Sequence, residues 1–240
     1  MTNAERFERI CKTDSESVHI QNGIGTLSEK RLHRILKCYL CADSASHEVK
    51  LGRYVADVFN GNEIYEIQTR AFARLLPKLK YYFEQTPYPV TVIYPIIRNK
   101  TIIRIDPETG EILRKKVSPR HGRAADILPE LYYLREIFPD PRLNIRLIFI
   151  DAEEYRYSER MRYRREGAYD SELFPTALVS EEEIRDVEDV KRLIATEKTS
   201  FSATEYSKLS GFKGRRLYGA LTILCSLGLL KKENKTYFQT

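Results

Sequence analysis

With 240 residues, 42% hydrophobic and 31% charged, the chain has room for one large domain or a medium one plus a small one, and reads as soluble and globular. Forty Lys and Arg against 34 Asp and Glu leave a net charge of +6, a mild lean towards polyanionic partners that many non-binders share. No apolar run is long enough for a bilayer and residues 1–6 lack the apolar core of a signal peptide, so a cytoplasmic protein with no membrane partner is expected.

Residues 1–23 are polar and mixed, a tail with one helical turn at most near Phe7 and Ile10. Thr26-Leu27-Ser28-Glu29 then fits a capping box, and Leu32, Ile35, Leu36, Tyr39 and Leu40 recur with helical spacing, which predicts a helix of about four turns. Glu29 has two readings. It satisfies the cap, or, at about 100° per residue, it lies in line with Leu36 and Leu40 at the edge of the buried stripe. Four cysteines without an export signal are expected to be reduced thiols. Cys38 and Cys41 form a CxxC on this helix, but zinc with His33 or His47 is the weaker reading, because a structural zinc wants four ligands in a closed set. Cys225 falls in an apolar helical pattern and reads as core.

Residues 47–51 read as a first strand with Glu48 and Lys50 on one face. In residues 54–69, two runs rich in aromatic and β-branched residues flank Asn60-Gly61, which supplies the positive φ angles of a tight turn, so a β-hairpin is expected. Alternation puts Asp57 on the face of Val55 and Phe59, and sets Glu66 and Gln68 together on the returning strand. Acidic residues on a half-exposed hairpin are most often its solvated side. In core strands they are expensive unless they serve a site, and a divalent cation relieves their repulsion.

Asp57, eight residues, then Glu66-Ile67-Gln68 resembles the PD-(D/E)xK nuclease superfamily, and the order of elements carries the resemblance over roughly residues 27–155. It implies a restriction-endonuclease-like fold in which Asp57 and Glu66 hold Mg²⁺ or Mn²⁺, Glu29 or Glu48 completes the site, and Gln68 positions the attacking water. No Pro precedes Asp57, and Gln68 stands where that superfamily usually has Lys. Residues 25–33 and 66–69 also look like a set of uncharacterised bacterial proteins.

Phe72, Leu75, Leu76, Leu79 and Phe83 predict a crossing helix that Pro77 should kink or split. In some related nucleases this helix supplies the missing Lys. Arg74 and Lys78 lie opposite the apolar stripe drawn this way, so neither is expected to do so. Residues 89–97 read as a strand buried on both faces and paired in parallel, which makes a mixed α/β sheet flanked by helices the leading fold class. A second hairpin over 101–106 and 111–117 runs into a basic cluster with Arg114, Lys115, Lys116 and Arg120. A helix over 124–138 and a strand over 143–151 complete the sheet. Residues 155–165 then interleave tyrosines with Arg160, Arg162, Arg164 and Arg165, a pattern suited to phosphate pairing and base stacking that neighbouring glutamates dilute.

The acidic run at 181–183 marks a composition shift, and the chain divides into a tail at 1–23, a nuclease-like domain at 24–178 and a small module at 179–240. A helix near 187–195, a capping box at 202–205 opening a short helix, a turn at 210–212, a helix over 213–227 and a ribbon over 228–238 resemble the winged-helix family. That resemblance implies nucleic-acid contacts from Lys213, Arg215 and Arg216 on the helix after the turn, and from Lys231, Lys232 and Lys235 on the wing.

The expected function is metal-dependent cleavage of phosphodiester bonds in DNA or RNA, with DNA the favoured partner. The alternatives are a nucleic-acid-binding regulator or accessory protein that no longer cuts, and an interaction scaffold without nucleic acid. Many nucleases of the resembled superfamily work as homodimers, although no dimer surface is legible here.

Overall fold

The computed structural model describes residues 1–18, 27–106, 108–157 and 170–240, with side chains for all of these except 15–18, 27–30 and 170. Two amphipathic helices open the chain. In α1 (Asn3–Val18) the Thr2 hydroxyl accepts from Glu5 N at 3.2 Å while the Glu5 carboxylate accepts from Thr2 N at 2.7 Å, a reciprocal cap. Phe7 and Cys11 are buried, with the Phe7 ring edge-on to Tyr39 at 5.4 Å. The stretch expected to be a tail is thus a 16-residue helix. Its stripe of Phe7, Ile10, Cys11 and Asp14 keeps helical spacing but includes only two strongly apolar residues. The next helix, α2 (Leu27–Leu40), buries Leu32, Ile35, Leu36 and Tyr39, as its spacing predicts.

The sheet strands follow. They are β1 (His47–Leu51), β2 (Tyr54–Phe59), β3 (Ile64–Ile67), β4 (Val90–Ile105), β5 (Ile112–Val117), β6 (Leu143–Tyr157) and β7 (Asp170–Ile184), with α3 (Phe72–Gln85) between β3 and β4, and α4 (Leu128–Leu131) before β6. Among the described residues these seven strands form one sheet in the order β1-β2-β3-β4-β6-β7, with β5 also on β4. The β2–β3 pair is antiparallel and β3–β4 is parallel, Glu66 standing opposite Val92, so the sheet is mixed and α3 is its crossover.

Four sequence expectations need correction. Residues 89–97 and 101–106 are one 16-residue strand, because the polar residues between them find partners without turning the chain, Asn99 N and Nδ2 both donating to Asp151 Oδ1. Of the kink or split expected at Pro77, the split does not occur, since α3 runs unbroken from Phe72 to Gln85. Pro77 removes a single backbone donor, and the core packing of Phe72, Leu75, Leu79 and Tyr82 outweighs that loss. Residues 124–138 are not one helix but a chain of 3₁₀ turns around the single turn of α4, which Pro129 opens. The acidic run at 181–183 lies within the 15-residue β7, where Glu181 accepts from Asn3 at 3.2 Å and Glu183 pairs with Arg146 at 3.4 Å.

The chain continues through α5 (Val187–Lys191), β8 (Ser200–Ser202), α6 (Ala203–Ser210), α7 (Gly214–Ser226), β9 (Leu230–Glu233) and β10 (Thr236–Gln239). The predicted capping box is present, Ser202 and Glu205 satisfying each other's backbone N–H, and Gly211 ends α6 at φ +73°. Strands β8, β10 and β9 make a small antiparallel sheet whose Phe201 stacks on Tyr206 at 5.1 Å and on Tyr237 at 6.2 Å. Among the described residues no helix is long and apolar enough to cross a membrane.

Two compact units result, each assembled from three segments. One comprises residues 1–49, 95–122 and 148–181, the other residues 50–94, 123–147 and 182–240. The first is centred on Arg31, only 2% exposed, whose guanidinium lies 3.2 Å from Asp14, 3.8 Å from Glu172 and 3.8 Å from the centre of the Phe174 ring. Removing that charge takes a buried cation away from two buried carboxylates. We expect Arg31→Ala to lower unfolding free energy in urea by about 3 kcal/mol. A loss below about 1 kcal/mol would show that the cluster is not a structural centre.

Candidate functional site

The β2–β3 turn is set by Asn60, whose side-chain oxygen accepts from Asn62 N and Glu63 N at 2.9 Å each, and by Gly61 at φ +91°. Register then pairs Phe59 with Ile64 and Val58 with Tyr65. One step further Asp57 meets Glu66, and a side chain takes over from the ladder: Asp57 Oδ2 accepts from Ile67 N at 2.8 Å. Glu66 is only 3% exposed, because its strand pairs with β4 on the other edge and α3 covers its side chain.

Both Glu66 oxygens receive partners from α3. Lys78 Nζ is 2.5 Å from Oε2, and the fully buried Tyr82 hydroxyl donates to Oε1 at 3.1 Å. Lys78 and Tyr82 are four apart and share a helix face. This corrects the expectation that Lys78 points away. The sequence stripe runs through Phe83, whereas Tyr82 faces the core and Phe83 is half-buried, so the true stripe keeps Phe72, Leu75 and Leu79 but leans towards Tyr82 and brings Lys78 to its edge. A Tyr at i+4 from a Lys was the available signal.

Burial pushes the Glu66 carboxyl up to about 7. The neighbouring Asp57 charge raises it too, while Lys78 and the Tyr82 hydroxyl pull it down without cancelling burial. Burial and the Glu66 charge in turn raise the Tyr82 hydroxyl well above its ordinary value, so Tyr82 acts as a hydrogen-bond donor throughout the physiological range.

Among the described residues no group of three or more His, Cys, Asp and Glu gathers as a metal cage. Asp57 and Glu66 are the two carboxylates that could hold a hard divalent cation. Mg²⁺ characteristically takes one or two carboxylates and completes its shell with water and substrate phosphate oxygens. A carboxyl near 7 beside a second acid is also one whose proton a cation can displace.

The remaining predicted residues are placed as follows. Gln68, half-buried, donates its Nε2 to Arg70 O, and its own N–H bonds Ile93 O at 2.9 Å. Glu48 is exposed and pairs with Lys37 at 2.8 Å, in the unit that does not contain Asp57 and Glu66. The Glu29 side chain and Arg160, Arg162, Arg164 and Arg165 lie outside the described residues. Arg114, Lys115 and Lys116 stand on the wholly exposed β5, Lys115 contacting Glu153 at 3.2 Å, and Arg120 is exposed beyond it. Lys213 and Arg215 are exposed at the start of α7, and Arg216 lies 3.7 Å from Asp126 and 5.3 Å from the centre of the Phe212 ring. In the ribbon Lys231 pairs with Glu233 at 2.8 Å, Lys232 lies 5.7 Å from the centre of the Tyr237 ring and Lys235 is exposed. His47 Nε2 contacts Cys41 O at 2.9 Å.

Three comparisons bear on the chain. The family described as Domain of unknown function (DUF8091) matches residues 30–185, a span that includes Asp57, Glu66, Lys78 and Tyr82. An uncharacterized protein of Treponema pallidum (strain Nichols) is 31% identical over 167 residues, which cover 68% of this chain and 64% of that protein, so the chain spans less than two thirds of this relative's length. No solved structure matches.

The raised carboxyl has a consequence for stability. Unfolded Glu66 ionises near its ordinary 4.5, whereas the folded group holds its proton up to about 7. Between those values the folded state binds the extra proton, so stability falls as pH rises through the window. Glu66→Gln should flatten that segment, gaining up to about 3 kcal/mol on wild type between pH 4.5 and 7 in urea titrations. Parallel profiles for the two proteins would mean that Glu66 ionises as an ordinary carboxyl.

Proposed function

The chain belongs to the DUF8091 family, and we propose that it is a metal-assisted phosphodiesterase acting on DNA or RNA, with a restriction-endonuclease-like core and a winged-helix module at its C-terminal end. The observation that carries this reading is the buried Glu66 carboxyl beside Asp57, with Lys78 Nζ 2.5 Å away. An ion pair at this depth is a costly feature for a core that needed only packing. In support of the fold names stand the antiparallel hairpin that carries the acids, the parallel β3-α3-β4 crossover beside it, and the terminal run of β8, α6, α7 and the β9–β10 ribbon.

Asp57 and Glu66 would hold Mg²⁺ or Mn²⁺. Bound there, the cation would lower the pKa of a coordinated water and neutralise charge developing on the scissile phosphate. The chain's own groups do the positioning. The Ile67 N–H fixes Asp57, the Tyr82 hydroxyl orients Glu66, and Lys78 supplies the positive charge that Gln68 cannot. Substrate would be drawn by Lys213, Arg215, Arg216, Lys231, Lys232 and Lys235, and by the exposed Arg114, Lys115, Lys116 and Arg120.

A second reading, a nucleic-acid-binding accessory protein that does not cut, is favoured by one feature: Lys78 and Tyr82 already satisfy both Glu66 oxygens. Cleavage and metal titration separate the two. Asp57→Asn, Glu66→Gln and Lys78→Met should each reduce Mg²⁺-dependent cleavage about a hundredfold or more while leaving nucleic-acid affinity within a few fold. Calorimetric Mn²⁺ affinity should fall about tenfold per pH unit below pH 7, where Glu66 must first lose its proton. Salt-dependent nucleic-acid binding without any heat of Mn²⁺ binding would decide for the accessory protein. Undiminished cleavage by all three variants would place the activity elsewhere.

A further inference from the structure

Within the unit that carries Glu66, a cleft of about 560 Å³ opens between residues 129–133 and the first turns of α7. This is the size range of small-ligand sites. Its floor is closed by Gly219, where an added Cβ would come within 3.6 Å of Pro129 O, so the helix backbone lies directly against the α4 turn. Arg215, Tyr218 and Thr222 follow one another on the helix face that looks into the cleft, and Tyr132 and Tyr133 line the wall opposite.

Two properties of these side chains suit a ligand. Tyr218 is 58% exposed and Tyr133 37% exposed, so both present aromatic surface to the cleft that the core does not use. No described residue forms an ion pair with Arg215, and the one ion pair of Arg216 is the 3.7 Å contact with Asp126, beside its stacking on Phe212. The one carboxylate in the lining, Glu130, is engaged by the Phe72 N–H at 3.2 Å. The cleft therefore offers flat aromatic faces and guanidinium groups together. That combination stacks a nucleobase and pairs with the phosphate joined to it.

The same wall speaks against a duplex. A major groove about 12 Å wide admits a single helix, and α7 carries residues 129–133 alongside its Arg215 and Tyr218 face. An unpaired nucleotide, with both faces of its base free, has no such obstacle.

We propose that this cleft binds one unpaired nucleotide, its base stacked on Tyr133 or Tyr218 and its phosphate held by Arg215 and Arg216. Assigning that nucleotide to a polynucleotide rests on the nucleic-acid reading above. The recognised chemistry, a nucleobase joined to a phosphate, is also that of a free nucleoside monophosphate.

The test uses the full chain in EDTA, so that cleavage does not enter, and follows the fluorescence anisotropy of a labelled 12-nucleotide single strand, its blunt duplex, and displacement by AMP and UMP. The single strand should bind at least about tenfold more tightly than the duplex. Tyr218→Ala and Tyr133→Ala should each weaken it about tenfold, Tyr218→Phe should retain binding, and Arg215→Ala should reduce the salt slope by about one. Displacement by micromolar AMP or UMP would assign the cleft to free nucleotides, and resistance to millimolar AMP and UMP would assign it to a strand. Both outcomes keep the cleft as a nucleotide site. Affinities of the folded alanine variants within twofold of wild type would overturn it, as would tighter binding of duplex that ignores Tyr218→Ala. Metal-dependent cleavage lost in the Asp57 and Glu66 variants, with single-strand affinity untouched by the tyrosine changes, would remove the cleft and leave the phosphodiesterase reading standing.

Discussion

A carboxylate withdrawn from water must find compensation or give up its charge, and Glu66 is where this chain meets that requirement. Its backbone is held between an antiparallel neighbour and a parallel one, which fixes where the side chain points. The compensation comes from one helix face, an ammonium and a phenol a single turn apart. Burial still prevails, leaving the carboxyl near 7 with a second acid next to it. A group in that state changes its charge near neutrality.

The first unit meets a similar requirement with the sign reversed. Arg31 is withdrawn from water and answered by Asp14 from α1, Glu172 from β7 and the face of Phe174. Arg34 reaches the same Asp14 at 2.6 Å from a more exposed position. This cluster ties together elements far apart in sequence and gives the N-terminal helix a reason to stay docked. Its two acids are held by a buried arginine, and a structural role accounts for it.

Legibility differed from element to element for identifiable reasons. The β2–β3 hairpin and the α6 cap announced themselves because Asn60-Gly61 and Ser202-x-x-Glu205 are local signals whose partners lie within a few residues. Thr2-x-x-Glu5 was the same kind of signal, overlooked because the helix behind it has few apolar residues. The glutamates of β7 read as a composition shift between two domains, since nothing nearby in sequence reveals that Asn3 and Arg146 are their partners. The placement of Lys78 depends on the exact centre of a stripe: Tyr82 and Phe83 are both credible core residues, and which of them faces inward decides whether the lysine faces solvent or Glu66.

The sequence by itself determined that Asp57 and Glu66 stand on neighbouring strands of a hairpin, because strand alternation and an Asn-Gly turn act over a dozen residues and need no distant partner. It also determined the mixed α/β class, through a fully apolar strand following a helix. Tertiary structure alone decided that Glu66 is buried, that Lys78 and Tyr82 rather than Gln68 answer it, and that α7 opens onto a tyrosine-lined cleft. Those outcomes depend on the rotation of helices about their own axes against a packed surface, which side-chain volume and desolvation set and which no local pattern encodes.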